Sequence, residues 1–302
     1  MYMRKIIVTG GAGFIGSHIV DLLLENNYEV HVIDNLLTGK KENINEKAVF
    51  HEVDIRNLSE LKPVFENAYA VFHEAAFPRV QPSIEDPITT QEINVNGTLN
   101  VLVAARDAKI KRLIYAASSS AYGDQEKFPL IEDMQGRPLS PYGLQKYTGE
   151  LMCRLFSDIY GLETVSLRYF NVYGPRASDE GAYALVIAKF LKQRKEGTAL
   201  TIVPDGNQSR AYTHVKDVAR ANFSALNSEK VGKGEVINIG GVRDYSVNFI
   251  ADLIGGEKIF IEPRIEPRKT VADISFAKKL LGWEPEIEFT KGVSELKSIY
   301  HV

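Results

Sequence analysis

The sequence predicts an α/β protein built on a doubly wound parallel sheet, with a smaller, mixed α/β lobe toward the C-terminus. Three observations point there. Short β-branched runs alternate with helical stretches through the first half of the chain. Those runs are apolar along nearly their whole length, the pattern of strands covered on both faces. A glycine-rich turn joins the first strand to the first helix.

The elements follow in order. Lys5–Thr9 is a β-branched run that ends in glycines. Helical spacing covers 15–26, with Ile19, Leu22 and Leu23 on one face. Glu29–Asp34 is a second strand and ends on an acid. Residues 48–53 make a third candidate and Ala70–His73 a fourth. A helix over 97–109 turns Leu99, Leu102 and Val103 inward, and 112–116 is a fifth strand. From about Tyr169 the rhythm changes. Residues 171–176 read as loop, 183–193 as helix and 235–240 as one more strand. The expected division puts 1–170 in a nucleotide-binding domain, with about 211–243 returning to it. Residues 171–210 and 244–302 then form the second lobe.

Composition narrows the class without naming a reaction. The chain has 302 residues, 44% hydrophobic and 25% charged, which is ordinary for globular proteins and far from disorder. Lys+Arg 36 against Asp+Glu 39 leaves a net charge of -3, so no basic field invites nucleic acid or anionic lipid. The single cysteine, Cys153, excludes an intrachain disulfide and a multi-cysteine zinc site. The histidines at 18, 31, 51, 73, 214 and 301 show no ligand spacing, so no metal is expected. No apolar run approaches the ~20 residues of a membrane span. The N-terminus lacks the apolar core and cleavage site of a secretion signal. A cytoplasmic protein is the expectation.

The turn Gly10-Gly11-Ala12-Gly13-Phe14-Ile15-Gly16 follows a strand and opens a helix. Glycines there permit a tight turn and close approach of backbone to a pyrophosphate. The helix N-terminus offers N–H groups and a partial positive charge. Asp34 closes the next strand, 18 residues past Gly16. A carboxylate there accepts both adenosine ribose hydroxyls and repels a 2′-phosphate, so NAD is favoured over NADP. Asp54, after the third strand, could contact the adenine edge; alone it reads as an ordinary turn acid.

A second constellation lies further on. Ser140 reads as a helix cap with Pro141 in the first turn. Tyr142 and Lys146 then stand at i and i+4, on one face. A free tyrosine, with a pKa of ~10, is a poor base at neutral pH. A nearby ammonium favours the phenolate. A serine run, Ser118-Ser119-Ser120, ends the fifth strand and offers a hydroxyl beside the tyrosine.

Taken together these residues resemble the extended short-chain dehydrogenase/reductase family, which is Rossmann-type, and within it the UDP-glucose 4-epimerase group. The resemblance runs through Thr9 to Gly16, Asp34-Asn35-Leu36, His73-Glu74-Ala75-Ala76 and Asn94-Val95-Asn96-Gly97-Thr98. It continues through Ser118 to Gly123, Tyr142 to Lys146, Arg168-Tyr169-Phe170-Asn171, Arg210 and Ala272-Asp273. It implies NAD as cofactor and a UDP-sugar as substrate. By resemblance Tyr142 is the acid/base, Lys146 holds the nicotinamide ribose and Ser118 meets the sugar hydroxyl. Gly10, Gly13, Phe14, Ile15, Gly16, Asp34, Asn35, Asp54, Ile55, Ala75, Ala76 and Phe170 line the cofactor site. Asn171, Arg210 and one of Arg264 and Arg268 hold the diphosphate. The backbone of Thr201, Ile202 and Val203 faces the uracil. Thr270 flanks the sugar 2-substituent, where a small residue admits an N-acetyl group. The resemblance further implies a homodimer through the helices 98–109 and 142–160. The rival activities are a 4,6-dehydratase and a UDP-glucuronate decarboxylase, which need acids where this chain has Ser119 and Ser120. An NAD-binding regulator is a more distant rival and lacks the Tyr-Lys pair.

Overall fold

Seven parallel strands form one sheet, and the chain reverses its direction of winding in the middle of it. The computed structural model describes residues 3–179, 185–203, 205–262 and 269–302. The strands are β1 (Lys5–Thr9), β2 (Glu29–Asp34), β3 (Val49–Glu52), β4 (Ala70–His73), β5 (Arg112–Ser118) and β6 (Glu163–Tyr169), joined by Lys233–Ile239. Across the sheet the order is Lys233–Ile239, β6, β5, β4, β1, β2, β3. The chain winds outward from β1 to β3, then returns to β4 on the other side of β1. In open α/β sheets the crevice beyond the strand ends at such a switch is where ligands bind. Here it lies beyond Thr9 of β1 and His73 of β4, which are register partners.

The strands alternate as a doubly covered sheet requires. Ile6, Val8, Phe72 and Ile114 pack on one face; Ile7, Val71, Leu113 and Tyr115 pack on the other. The first face is closed by the helices Phe14–Glu25 and Val215–Asn227, through Ile19, Leu23, Val218 and Ala221. The second is closed by Leu58–Phe65, Thr98–Asp107 and Pro141–Tyr160. Each such fully buried aliphatic side chain stabilises the fold by about 1.5–3 kcal/mol before entropy is counted. Within 244–302, Ala272 to Trp283 also join the first face, and Trp283 Nε1 donates to the Asp217 carbonyl at 2.9 Å.

A third apolar cluster holds the rest of the C-terminal part. It gathers the helices Val186–Lys195, Val247–Ile254 and Phe289–Tyr300 around the short strand Leu200–Ile202.

The expected strands and helices are found; residues 171–176, read as loop, hold a two-residue strand, Val172–Tyr173, that pairs with Thr213–His214, and three further corrections follow. First, β6 is absent from the expectation although it is a central strand. Its polar residues masked it, and two of them have buried partners: Thr164 Oγ1 donates to the Cys153 carbonyl at 2.7 Å, and Arg168 pairs with Glu150. Second, Leu99 points outward. A π-turn at Glu92–Gly97 sets the helix phase so that Thr98, Val101, Leu102 and Ala105 face the sheet. Third, the helix expected over 183–193 runs Val186–Lys195, and Tyr183 lies outside the described residues.

Candidate active site

The glycine turn has the shape a phosphate cradle needs. Gly10 sits at φ +71°, and a Cβ there would stand 2.6 Å from the Ala75 nitrogen. The turn therefore presses against the loop after β4. A Cβ on Gly16 would collide with the Gly10 carbonyl oxygen. Gly13 is the N-cap of Phe14–Glu25, with no side-chain cap and no acid in the first turn. The helix thus presents its N-terminal N–H groups without a competing carboxylate, which suits an anion.

Asp34 is buried at the end of β2. Its Oδ2 accepts from Ala12 N–H at 3.0 Å and its Oδ1 from Leu36 N–H at 2.8 Å. Burial raises its carboxyl above the usual range, and the two N–H bonds oppose that. The carboxylate is fixed against the glycine turn, which fits the ribose of a dinucleotide. Asp54 is differently engaged. Arg56 holds it bidentately, at 3.0 and 2.7 Å, and Asn35 Nδ2 donates to it at 2.8 Å. The guanidinium holds its carboxyl down to about 2. Ile55 is nearly buried, and its side chain fills the space over Gly97.

The loop after β4 is tied down by a directed chain of hydrogen bonds. Thr98 Oγ1 donates to the Asn94 carbonyl at 2.7 Å, so it accepts from His73 Nε2 at 3.0 Å. His73 Nδ1 then accepts from the Thr9 hydroxyl at 2.7 Å, and Thr9 accepts from Ala75 N–H at 3.3 Å. Burial keeps His73 neutral, with its pKa pushed down to about 3. Asn94 clamps Phe77 through both its N–H and its carbonyl, at 2.7 and 3.1 Å, and links to Gln145 at 2.8 Å. Ala75 thus lies against the glycine turn, on a loop these bonds fix.

The helix Pro141–Tyr160 begins as its sequence dictates. Ser140 Oγ accepts from Gly143 N–H at 3.1 Å, and Pro141 occupies the first turn. Ser83 further anchors the start by accepting from Tyr142 N–H at 2.9 Å. Lys146 is buried and donates from Nζ to the Ala116 carbonyl at 2.8 Å. Burial pushes its ammonium down to about 8, while Glu74 pulls it back up. Ser118, beside Tyr142, draws the phenol down, yet burial pushes it up to about 12. The expected lowering of Tyr142 by Lys146 is therefore not what the protein groups do; burial wins. Ser118 accepts from the Ser120 hydroxyl at 2.8 Å, so its own proton is free to point elsewhere.

A second cluster forms beyond β6. Tyr169 is the register partner of Ser118, and Asn171 follows two residues later at φ +38°. Asn171 Nδ2 donates to the Ala211 carbonyl at 2.9 Å and to Thr270 Oγ1 at 3.0 Å. Thr270 is the register partner of Arg210. Asn171, Arg210 and Thr270 are thus brought together. Arg264 and Arg268 lie outside the described residues.

Phe170 and the 201–203 segment are engaged within the protein. Phe170 is wholly buried, its N–H donates to the Ile239 carbonyl and its own carbonyl accepts from Thr213 Oγ1. The Thr201 N–H is taken by Gln193 Oε1 at 3.2 Å, and the Ile202 carbonyl accepts from Ile261 N–H at 2.8 Å. Val203 accepts from Gly206 N–H at 3.1 Å. Sequence reading gave no role to Glu74, which accepts from Tyr169 at 2.9 Å. Its place beside the motif histidine was the one available signal. Among the described residues no group of three or more His, Cys, Asp or Glu could hold a metal. No helix among them is long and apolar enough to cross a membrane.

A doubly wound sheet, a glycine turn with a buried acid fixed against it, and a Tyr-Lys-Ser group fit a short-chain dehydrogenase/reductase type of enzyme. The chain belongs to the NAD dependent epimerase/dehydratase family, whose model matches residues 6–240. NAD is its cofactor, and the cradle and Asp34 fit it. A relative in Methanocaldococcus jannaschii, provisionally named a UDP-glucose 4-epimerase, is 44% identical over 300 residues, 96% of each chain. The UDP-glucuronic acid decarboxylase 1 of Xenopus tropicalis is 33% identical over 97% of this chain and 71% of its own. Thermotoga maritima UDP-glucose 4-epimerase, solved with UDP-glucose, superposes with TM-score 0.94 at 38% identity, covering 99% of this chain and 98% of that one. UDP-glucuronic acid 4-epimerase from Bacillus cereus, solved with UDP-glucuronic acid and NAD, gives TM-score 0.91 at 34% identity over 99% of both chains. A Methanobrevibacter ruminantium UDP-N-acetylglucosamine 4-epimerase gives 0.92 at 33% identity, over 99% of this chain and 100% of that one.

Proposed function

We propose that the protein is an NAD-dependent UDP-hexose 4-epimerase. It interconverts UDP-glucose and UDP-galactose, and also their N-acetylated counterparts. The carrying observation is the placing of Ser118, at the end of β5, beside Tyr142, with serine and not an acid at 119 and 120. A 4,6-dehydratase or a decarboxylase would need a carboxyl group there.

The chain's own groups perform the proton work. Tyr142 takes the proton of the sugar 4-hydroxyl and later returns it. Ser118 holds the same oxygen, its hydroxyl polarised by Ser120. When bound, NAD supplies a reversible hydride acceptor for the sugar C4 and, oxidised, a positive charge that favours the Tyr142 phenolate. The 4-keto sugar turns over between the two half-reactions, so the sugar must be held loosely and the nucleotide firmly. Asn171 and Arg210, with an arginine from 264 or 268, supply that anchor; an arginine fork suits a diphosphate in charge and geometry. Thr270 leaves room beside the sugar 2-position, and the N-acetylglucosamine epimerase relative supports that reading. The division into a nucleotide domain and a UDP-sugar lobe is part of the proposal. So is a homodimer, formed through the exposed face of Pro141–Tyr160.

The test is turnover of UDP-glucose, UDP-galactose, UDP-GlcNAc and UDP-glucuronate by the purified protein with NAD, with product sugars and CO2 both measured. Interconversion of the first pair supports the reading, and failure on both partners sinks it. CO2 release would favour a decarboxylase. A Tyr142→Phe variant is expected to retain NAD and lose turnover by at least about 100-fold.

A further inference from the structure

Tyr115, in the middle of β5, is wholly buried, and its hydroxyl has no hydrogen-bond partner among the described residues. A buried tyrosine ordinarily gives its hydroxyl a partner. What this residue has instead is a cation on its ring. Lys146 Nζ lies over the ring, 5.0 Å from its centre. An ammonium within about 6 Å of an aromatic centre is attracted by the electron-rich face, most strongly where water is excluded. Both side chains here are buried.

The backbone is arranged for that approach. Gly149 lies three residues past Lys146, on the same helical face. A Cβ on Gly149 would stand 2.2 Å from Tyr115 Oη and 2.4 Å from Cζ. The helix Pro141–Tyr160 therefore passes against the phenol with no side chain between them. That accounts for a glycine inside a helix, where it is otherwise unfavourable. On the sheet, the pairing of β5 with β4 ends at Tyr115 and His73, whose ring centres are 5.7 Å apart. The next carbonyl, that of Ala116, accepts from Lys146 Nζ at 2.8 Å. Two consecutive residues of one strand thus give the ammonium a ring face and a carbonyl oxygen. Among the described residues no carboxylate lies within ion-pair distance of it.

We propose that Tyr115 is a positioning residue for Lys146: its ring face keeps the ammonium charged and aimed, and Gly149 leaves the room that this contact needs. The proposal rests on the reading of Lys146 as the group that holds the nicotinamide ribose and favours the Tyr142 phenolate. The ring and the carbonyl offset part of the burial that pushes Lys146 down to about 8. The other titratable groups that face Lys146 are Glu150 and Cys153 on its own helix, neutral His73 on β4 and Glu74 just after it. Each is otherwise engaged. Glu150 accepts from Arg168 Nε at 2.9 Å and Nη2 at 2.7 Å. Cys153 stays a thiol, pushed up to about 12 by burial. Glu74 is bonded by Tyr169, whose oxygen Asn222 Nδ2 holds in turn at 2.8 Å.

The test is the pH profile of kcat with UDP-glucose for the full NAD-loaded enzyme, read at the alkaline limb, where Lys146 gives up its proton. Tyr115→Leu keeps an apolar side chain and removes the ring, and the limb is expected to fall by about one pH unit. Tyr115→Phe keeps the ring, and its limb is expected to stay in place. Tyr115→Phe made with one, two or three ring fluorines keeps the shape and drains the ring face stepwise, so the limb is expected to fall with each fluorine. Gly149→Ala pushes the ring away and is expected to lower the limb without altering either group. A Tyr115→Leu enzyme slowed equally at every pH, with its limb in place, makes the ring mere packing and overturns the proposal. A limb that ignores the fluorines does the same, and decides the matter if Tyr115→Leu does not fold. A Tyr115→Phe limb displaced as far as that of Tyr115→Leu would assign the effect to the hydroxyl and also overturn it. Full turnover in Lys146→Met would instead overturn the underlying reading of Lys146, whatever the Tyr115 variants show.

Discussion

Asn171 donates from Nδ2 to the Thr270 hydroxyl at 3.0 Å, across 99 residues of sequence. Thr270 is therefore both a small residue and a holder of Asn171, the proposed diphosphate anchor. The two roles separate by substitution. Thr270→Val keeps the size and removes the acceptor; losing one net hydrogen bond of about 0.5–1.5 kcal/mol should raise KM for UDP-glucose about 3- to 10-fold with kcat little changed. Thr270→Tyr fills the space and is expected to abolish turnover of UDP-GlcNAc while UDP-glucose still reacts. Equal losses on both sugars would show that Thr270 does not face the 2-substituent.

The glycine turn is expected to tolerate no side chain at Gly10. Gly10→Ala meets a positive φ and the Ala75 backbone at 2.6 Å. The conformation alone costs about 1–2 kcal/mol, and the clash adds to it. Gly161 is the control: it sits at φ +67° with nothing within 4 Å of an added Cβ. Gly161→Ala carries only the conformational part. Thermal unfolding should show Gly10→Ala clearly lower, with NAD binding weakened in that variant alone. Equal Tm losses would mean that the turn and the loop after β4 move apart freely.

How much of this was legible depends on range. The glycine turn, Asp34, the Ser140 cap and the Tyr142–Lys146 spacing are local chemistry, and the sequence shows them because neighbours in the chain perform the function. Glu74, Tyr169 and Asn222 sit on three elements and meet only when β4, β6 and a later helix are docked. The Gln193 bonds to Thr201 are hidden for the same reason: a helix and a strand must pack before they exist. β6 was illegible because burial there is paid for by partners elsewhere, Cys153 and Glu150, so its polar residues read as exposed. Asp54 is local too: the cation that holds its carboxylate, Arg56, is two residues away in the chain.

His73 gives a pH dependence with a definite sign. Its folded pKa is pushed down to about 3, while an unfolded histidine titrates near ~6.5. Between those values the unfolded chain binds a proton that the folded protein refuses. The contribution is therefore fully present above about pH 6.5 and is lost as pH falls toward 3, with a limiting slope of ~1.4 kcal/mol per pH unit. Other groups add their own slopes, so the readout is a difference. His73→Gln is less stable than wild type at pH 7.5, because Thr9 loses its ring acceptor, but it has no proton to refuse. The urea midpoints of the two proteins should approach each other at pH 5.5. A gap that stays constant would assign the acid sensitivity to other residues.

The helix Pro141–Tyr160 also predicts an assembly. Leu144, Leu151, Leu155 and Ile159 are each more than half exposed, and their spacing of seven, four and four places them on one stripe. Ile88 and Leu144 both line a groove of about 280 Å³ beside that stripe. Leu99, which turned outward against expectation, adds a further exposed apolar residue on the helix Thr98–Asp107. A second copy of the chain would cover the stripe with its own, since a twofold interface uses the same patch on both subunits. Light scattering is expected to give twice the mass of one chain. Leu151→Glu puts a charge at the centre of the stripe and is expected to give the single-chain mass, with NAD still bound because the opposite face of the helix carries Lys146. A wild-type protein that runs as a monomer at micromolar concentration would refute the dimer. A Leu151→Glu protein that stays dimeric would place the interface on another face.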